Sequence, residues 1–317
     1  EIVQNDHTAS HMDRLEAGAS TQLEIESNPE FLFATSCDGE GFLYADNVSI
    51  DGDTYVFSDT SPQTFQERFD YLRQRTGLNE LEPSRVSELL LASPFDFRQQ
   101  ALLAVPTDIP EPGKPGFAEA VRDLTEEALL AADGRSFVLF TAYSMLRRIH
   151  AELAPSLTAR GFQVLKQGES TRHSLLQKFS QDPTSILFAT DSFWEGVDVP
   201  GRALEQVIIA RLPFRVPTEP VLEARAEAIA NSGGDPFMEY TVPQAVIRFR
   251  QGFGRLIRQK TDRGIVLILD SRVVRRGYGR LFLHSLPDVP VATMPRAELM
   301  QTLREFFDKG TGPKEDY

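Results

Sequence analysis

Residues 251–258 contain the side chains of this chain that are best suited to chemistry on a charged ligand. The spacing of apolar residues around them predicts a helix over residues 242–259. At about 100° per residue, Gln251, Arg255 and Arg258 fall within one narrow arc of that helix. Two glycines flank the arc, and a glycine inside a helix costs up to about 1 kcal/mol relative to alanine. This cost indicates a purpose other than helix building, namely bare backbone that a bulky ligand can approach.

Basic residues are concentrated around this segment, although the chain as a whole is acidic. The net charge is −13 over 317 residues, which disfavours indiscriminate attraction to nucleic acid or to an anionic membrane. Residues 244–280 nevertheless contain nine arginines and one lysine against two aspartates. This local excess of positive charge indicates a binding place for a polyanion, with a solvated arginine-rich surface as the alternative.

The overall composition restricts the class of protein. A hydrophobic content of 41% and a charged content of 25% are typical of a globular protein. No apolar run reaches the length of a membrane span, and no signal-peptide pattern opens the sequence. Cys37 is the single cysteine, which excludes an intramolecular disulfide and a four-cysteine metal or iron–sulfur site within this chain. We therefore expect an intracellular, cytoplasmic protein without a membrane partner.

Strands that could position these residues are recognisable as short runs in which every residue is apolar, without the alternation of apolar and polar residues that a half-exposed strand shows. They lie at residues 137–140, 186–188, 207–209 and 265–269, and helical segments separate them. Such runs are typical of parallel strands that are covered on both faces. The sequence therefore predicts an α/β fold with an open parallel sheet flanked by helices. In this architecture we expect ligand sites at the carboxyl ends of the strands.

Polar clusters follow three of these strands, at residues 141–144, 190–201 and 270–272. Together with the arginine segment they resemble the second motor domain of the DinG/XPD group of superfamily 2 DNA helicases. Residues 138–144 resemble motif IV, residues 189–201 are similar to motif V, and residues 251–258 match motif VI. The resemblance covers about residues 54–300. It implies a RecA-like sheet, ATP with Mg²⁺ as the nucleotide, and 5′→3′ movement on single-stranded DNA.

The resemblance also implies a role for each motif residue. Arg258 would be the arginine finger, Arg255 a second phosphate contact, and Gln251 the residue that positions water or phosphate. Further nucleotide contacts would come from Glu195, Gly196, Asp198 and Gly254, and contacts with DNA from Thr141, Ser144, Thr190, Trp194 and Arg272. The alternatives are surface salt bridges for the arginines, capping of strand ends for the two threonines, a loop role for Asp198 and core packing for Trp194.

Two motifs of a complete helicase of this type do not occur in the sequence. There is no glycine-rich loop ending in Lys-Ser or Lys-Thr, and no Asp-Glu-Ala-His-like segment. We therefore expect ATP and Mg²⁺ to be held mainly by a first RecA-like motor domain, in cis or in trans, and this chain alone to be inactive in ATP hydrolysis. Two alternatives remain open, a non-catalytic nucleic-acid-binding or regulatory module and the helicase part of a nuclease-fused relative.

The N-terminal region has a different character from the rest. We expect residues 1–12 to be a cloning-derived segment. Residues 13–60 contain strand-like runs punctuated by Asp-Gly turns and are predicted to form a small β-rich element. That element would be a remnant of the first motor domain or an insertion. Residues 61–317 would form the helicase C-terminal domain.

Overall fold

The computed structural model describes residues 93–190, 193, 204–215 and 220–308, together with Leu78, Leu81 and six short strands nearer the N-terminus. The chain divides into two compact units. The first consists of Glu1–Pro94 with His284–Asp288, and the second of Phe95–Leu283 with Val289–Tyr317. The sequence-based domain boundary at residue 61 stays a prediction.

The described strands of the first 94 residues pair only antiparallel to one another. Strands β1 and β3 pair with each other, and the remaining strands form a sheet in the order β4-β5-β2-β6. Their bounds are β1 Ile2–Gln4, β2 Ser20–Glu24, β3 Phe31–Phe33, β4 Ile50–Asp51, β5 Thr54–Val56 and β6 Val86–Leu89. The small β-rich element expected over residues 13–60 stays a prediction, and its Asp-Gly turns lie largely outside the described residues.

The second unit is built on a sheet of seven parallel strands, which confirms the predicted fold class. The order is β13-β7-β12-β11-β8-β10-β9, and every neighbouring pair is parallel. The strands are β7 Ala101–Pro106, β8 Ser136–Leu139, β9 Gln163–Lys166, β10 Ser185–Ala189, β11 Gln206–Ile209, β12 Gly264–Ile268 and β13 Val291–Met294. Strands β8, β10, β11 and β12 are buried along their whole length, as their unbroken apolar runs require.

Helices cover both faces of this sheet. They are α1 Phe97–Gln100, α2 Phe117–Ala131, α3 Tyr143–Ala159, α4 Arg172–Gln181, α5 Pro220–Asn231, α6 Val242–Phe253, α7 Arg272–Arg275, α8 Gly279–His284 and α9 Arg296–Asp308. A π-helical turn, Phe237–Thr241, precedes α6. One buried cluster joins α2, α3 and α9 to alternate strand residues such as Val138 and Phe188. On the other face, Phe137 of β8 packs against Phe179 of α4 with 4.6 Å between ring centroids.

The predicted helix over residues 242–259 is wrong at its C-terminal end. Helix α6 stops at Phe253, and Gly254 follows as its C-terminal cap. The N–H groups of Arg258 and Gln259 do not continue the helix, because both donate to the carboxylate of Asp262 at 2.8 and 2.9 Å. Arg255 and Arg258 therefore lie in a loop and not on the helical face that carries Gln251.

Candidate functional site

The arginine loop, which we define as residues 254–263, lies at the amino edge of the parallel sheet. It connects the end of α6 to Gly264, the first residue of β12. Gln100, directly before β7, donates hydrogen bonds to the loop carbonyls of Gln259 and Asp262 at 3.0 and 2.9 Å. Since Gly264 and Ala101 are paired at the beginning of their strands, the loop occupies the edge opposite to the one where ligand sites were expected.

Two adjacent apolar side chains of the arginine loop are buried, and the residues on either side of them are partly or fully exposed. Leu256 and Ile257 are 2% and 4% exposed. Arg255 and Arg258, on either side of this apolar pair, are partly exposed. Two buried anchors thus hold the backbone, while Arg255 and Arg258 are partly exposed and the Nε atom of Arg258 is buried.

Gln251 is buried, at 7% exposure, and does not sit on a solvent-facing arc. Its side-chain oxygen Oε1 is enclosed and has no hydrogen-bond partner within the part of the chain that the structure describes. An enclosed acceptor of this kind is suited to an O–H donor such as a water molecule. The burial of Arg248 and Arg250 on the same helix, at 7% and 1% exposure, is not evident from the sequence, where arginine spacing indicates only a polar face.

The predicted DNA-binding residues that the structure describes lie at the carboxyl edge. Thr141 follows β8 and is partly exposed, and Ser144 is exposed in the first turn of α3. Thr190 follows β10, where its N–H and its hydroxyl both donate to Oε1 of Gln167 at 2.6 and 2.9 Å. These three residues thus lie at the same edge of the sheet. The bonds of Thr190 to Gln167 also link the ends of the adjacent strands β10 and β9.

Arg272 lies at the same edge and is held by its neighbour in the sequence. Its Nε and Nη2 atoms donate to the two carboxylate oxygens of Asp270 at 2.9 and 2.6 Å. Burial lowers the pKa of Arg272, but the hydrogen bond and the charge of Asp270 outweigh it, so that the net change in pKa is upward. Asp270 is fully buried and also accepts the N–H of Leu212 at 2.9 Å. The pair therefore joins the ends of β11 and β12.

Arg211 is a further cation at this edge, which the sequence indicates only weakly. Its Cζ atom lies 5.0 Å from the ring centroid of Phe117, at the start of α2. Burial lowers the pKa of Arg211, and the charge of Arg272 lowers it further. Its Nε atom is buried without a hydrogen-bond partner in the described segments. A guanidinium with unused donor capacity at this edge could bind an anionic group.

Four of the predicted site residues lie outside the described residues: Trp194, Glu195, Gly196 and Asp198. In the described part of the chain, no group of three or more His, Cys, Asp or Glu side chains is arranged to hold a metal ion. Nor does any helix in those ranges have the length and apolar character to cross a membrane.

A parallel sheet with helices on both faces defines an α/β domain of the doubly wound type. A solved structure titled XPD helicase has the same fold, with a TM-score of 0.51 and 15% identity, over 71% of this chain and 40% of that chain. Residues 125–289, about half of the chain, match the family model described as the helicase C-terminal domain, and the chain belongs to this family. The resemblance to the DinG/XPD group is thereby confirmed.

Curated relatives agree with this assignment. The ATP-dependent DNA helicase YoaA of Escherichia coli K12 is 43% identical over 220 residues, which are 69% of this chain and 33% of that protein. The 3′-5′ exonuclease DinG of Bacillus subtilis 168 is 35% identical over 264 residues, which are 82% of this chain and 28% of that protein. The chain thus spans about a third of the length of these relatives.

Proposed function

We propose that this chain is the C-terminal motor domain of an ATP-dependent DNA helicase, and that it supplies the arginine finger and part of the track for single-stranded DNA. The observation that carries the proposal is the 43% identity over 220 residues to a protein named as an ATP-dependent DNA helicase. The anchored arginine loop supports it, because an arginine finger requires a fixed backbone.

Arg258 acts on the γ-phosphoryl group of ATP in this proposal. Attack by water spreads negative charge over the phosphoryl oxygens, and a positioned guanidinium stabilises that charge. Arg255 provides a second phosphate contact, since the planar guanidinium binds phosphate oxygens in a bidentate manner and remains charged. Gln251 positions the attacking water or a phosphate oxygen in this proposal. ATP and Mg²⁺ are held mainly by a first motor domain, with Gly254 next to the phosphates.

The carboxyl edge forms the track for the DNA strand. The hydroxyl groups of Thr141 and Ser144 donate to phosphate oxygens, which positions the strand without reading its sequence, and Thr190 contacts the strand beside them once its hydroxyl exchanges Gln167 for a phosphate oxygen. Arg272 and Arg211 supply positive charge at the same edge. Movement is 5′→3′, which is tested by strand displacement from duplexes with a single-stranded tail at the 5′ end or at the 3′ end.

The central test replaces Arg258 by alanine in the full-length protein. We expect kcat for DNA-stimulated ATP hydrolysis to fall roughly 10³-fold, as for other arginine fingers, with little change in the affinity for single-stranded DNA. Arg304→Ala, which changes an exposed arginine on α9, is the matched control and retains activity. Equal kcat values for the two variants would refute the assignment of the finger.

The isolated chain provides a second test. We expect no measurable ATP hydrolysis and at most weak DNA binding from this chain on its own, because the residues that hold the nucleotide are supplied by the first motor domain. ATP turnover by the purified chain that is abolished by Arg258→Ala would overturn this proposal.

A helicase fused to a nuclease is the second candidate function. It is favoured by the similarity to the protein named 3′-5′ exonuclease DinG, which extends over 82% of this chain. The sequence that precedes this segment in the parent gene separates the two candidates. A phosphate-binding loop alone favours the helicase, and an additional set of acidic nuclease residues favours the fusion.

A further inference from the structure

Two residues outside the helicase motif fix the backbone of the arginine loop. The first is Asp262, which is 9% exposed and belongs to the loop itself. A single carboxylate oxygen, Oδ2, accepts the consecutive N–H groups of Arg258 and Gln259 at 2.8 and 2.9 Å. The N–H of Asp262 in turn donates to the carbonyl of Gln259 at 3.0 Å. These bonds set the orientation of the peptide at Arg258 and hence the direction in which its side chain leaves the backbone.

The second residue is Gln100, which comes from the segment before β7 and is 8% exposed. Its Nε2 atom donates to the carbonyls of Gln259 at 3.0 Å and Asp262 at 2.9 Å. Its Oε1 atom accepts the N–H of Asp96 at 2.8 Å. Both donor positions of the amide and one acceptor position are therefore used, and the loop is tied to a strand that lies far away in the sequence.

The apolar contacts of the loop do not replace these bonds. Leu256 packs against Gly264, where an added Cβ would lie 2.5 Å from Leu256 Cδ1. This contact fixes the depth of the loop at Leu256, two residues before Arg258, and apolar contacts have no preferred direction for a peptide group. Hydrogen bonds are directional, and Asp262 accepts the N–H of Arg258 while Gln100 holds the carbonyls of Gln259 and Asp262.

We propose that Gln100 and Asp262 are positioning residues for Arg258, forming a polar clamp that holds the arginine finger in its productive orientation. This inference rests on the function proposed for Arg258. A misplacement of about 1 Å at a reacting centre can reduce the rate roughly 10²-fold, so a clamp of this kind acts on kcat. It does not act on the affinity for DNA, because Thr141 and Arg272 lie at the other edge of the sheet.

The test uses Gln100→Ala and Asp262→Ala in the full-length protein. We expect kcat for DNA-stimulated ATP hydrolysis to fall roughly 10- to 100-fold in each, with KM for ATP and Kd for single-stranded DNA within about threefold of the original values. Gln99→Ala is the matched control for Gln100, since Gln99 is exposed and its side chain bonds only to Asp96 Oδ2 in the described contacts. It retains activity. Asp262→Asn keeps an acceptor oxygen at the same place, and we expect it to recover most of the lost kcat.

Combination with Arg258→Ala separates positioning from general stability. Once the guanidinium is absent, its position no longer matters, so Asp262→Ala and Gln100→Ala have no further effect on kcat. A further loss by the same factor in the Arg258→Ala background would show a general structural role and overturn the clamp. So would a kcat for Gln100→Ala equal to that of Gln99→Ala, a comparison that holds even if Asp262→Ala does not fold.

The failure of the clamp can be distinguished from the failure of the proposed function. If Arg258→Ala retains full kcat, the arginine finger itself is refuted, and the clamp with it. If Arg258→Ala loses activity while both clamp variants retain it, the finger stands and the clamp is refuted.

Discussion

Gly264→Ala is the substitution whose effect follows most directly from the structure. A Cβ atom at this position would lie 2.5 and 2.9 Å from Cδ1 and Cγ of Leu256, and would also overlap the carbonyl oxygen of Glu205. That carbonyl accepts the N–H of Ile265 at 2.9 Å, so it cannot retreat without weakening the pairing of β11 and β12. Inserting a methyl group into a packed core costs typically 1–3 kcal/mol. Because one obstacle is backbone, we expect about 3 kcal/mol.

Thermal unfolding of the purified chain measures this cost. For a unit of roughly 200 residues, 1 kcal/mol shifts Tm by about 2–4 °C, so we expect a decrease of about 6–12 °C. Gly277→Ala is the matched control, because an added Cβ at that glycine has nothing within 4 Å. It should change stability by less than about 1 kcal/mol. Equal Tm values for the two variants would refute the reasoning.

A double variant separates the two obstacles. Leu256→Ala removes the side-chain overlap but leaves the carbonyl of Glu205 in place. Gly264→Ala should therefore still destabilise the chain in the Leu256→Ala background, although by less than in the original sequence. Complete relief would mean that the side chain alone causes the strain.

Three further predictions concern the carboxyl edge and the core. Asp270→Ala should lower the free energy of unfolding by about 3–5 kcal/mol in denaturant titration, because it leaves Arg272 and the N–H of Leu212 without their buried partner; a loss below about 1 kcal/mol would contradict this. Burial lowers the pKa of His150 below its ordinary value of 6.5, and the charge of Lys166 lowers it further. The folded state then binds fewer protons than the unfolded state, so stability falls as the pH drops below about 6.5, and His150→Gln should flatten this part of the stability curve; an unchanged slope would count against the shift. Thr141→Val in the full-length protein should weaken binding of single-stranded DNA by roughly 2- to 10-fold in a fluorescence titration, with KM for ATP unchanged; unaltered DNA affinity would remove Thr141 from the track.

Hydrophobic patterning was sufficient to predict most of the parallel sheet. The continuous apolar runs in β8, β10, β11 and β12 are buried on both faces, and this property is visible without any tertiary information. Strand β13 escaped prediction, because it is a short edge strand in which exposed and half-buried residues alternate. Strand β7 was not predicted either, because its apolar run leads directly into a proline-rich loop.

Local spacing was less informative for the site. Gln251, Arg255 and Arg258 have helical spacing, but the helix ends at Phe253. The N–H groups of Arg255 and Leu256 then donate to carbonyls three residues back, and Asp262 takes the N–H groups of Arg258 and Gln259. Periodicity describes side chains and does not report such competition for the backbone. Gln100 could not be linked to the arginine loop from the sequence, since 162 positions separate it from Asp262.

The placement of the two candidate sites at opposite edges of one sheet has a mechanical consequence. A strand of five residues such as β12 is about 17 Å long, and α6 with its 12 residues is about 18 Å long. No single side chain bridges such a distance, so any coupling between the arginine loop and the carboxyl edge has to pass through the packed elements between them. Strands β10, β11 and β12, which run between the two edges, are buried along their whole length. A close-packed interior of this kind deforms little, so the sheet transmits a displacement at one edge to the other with little loss.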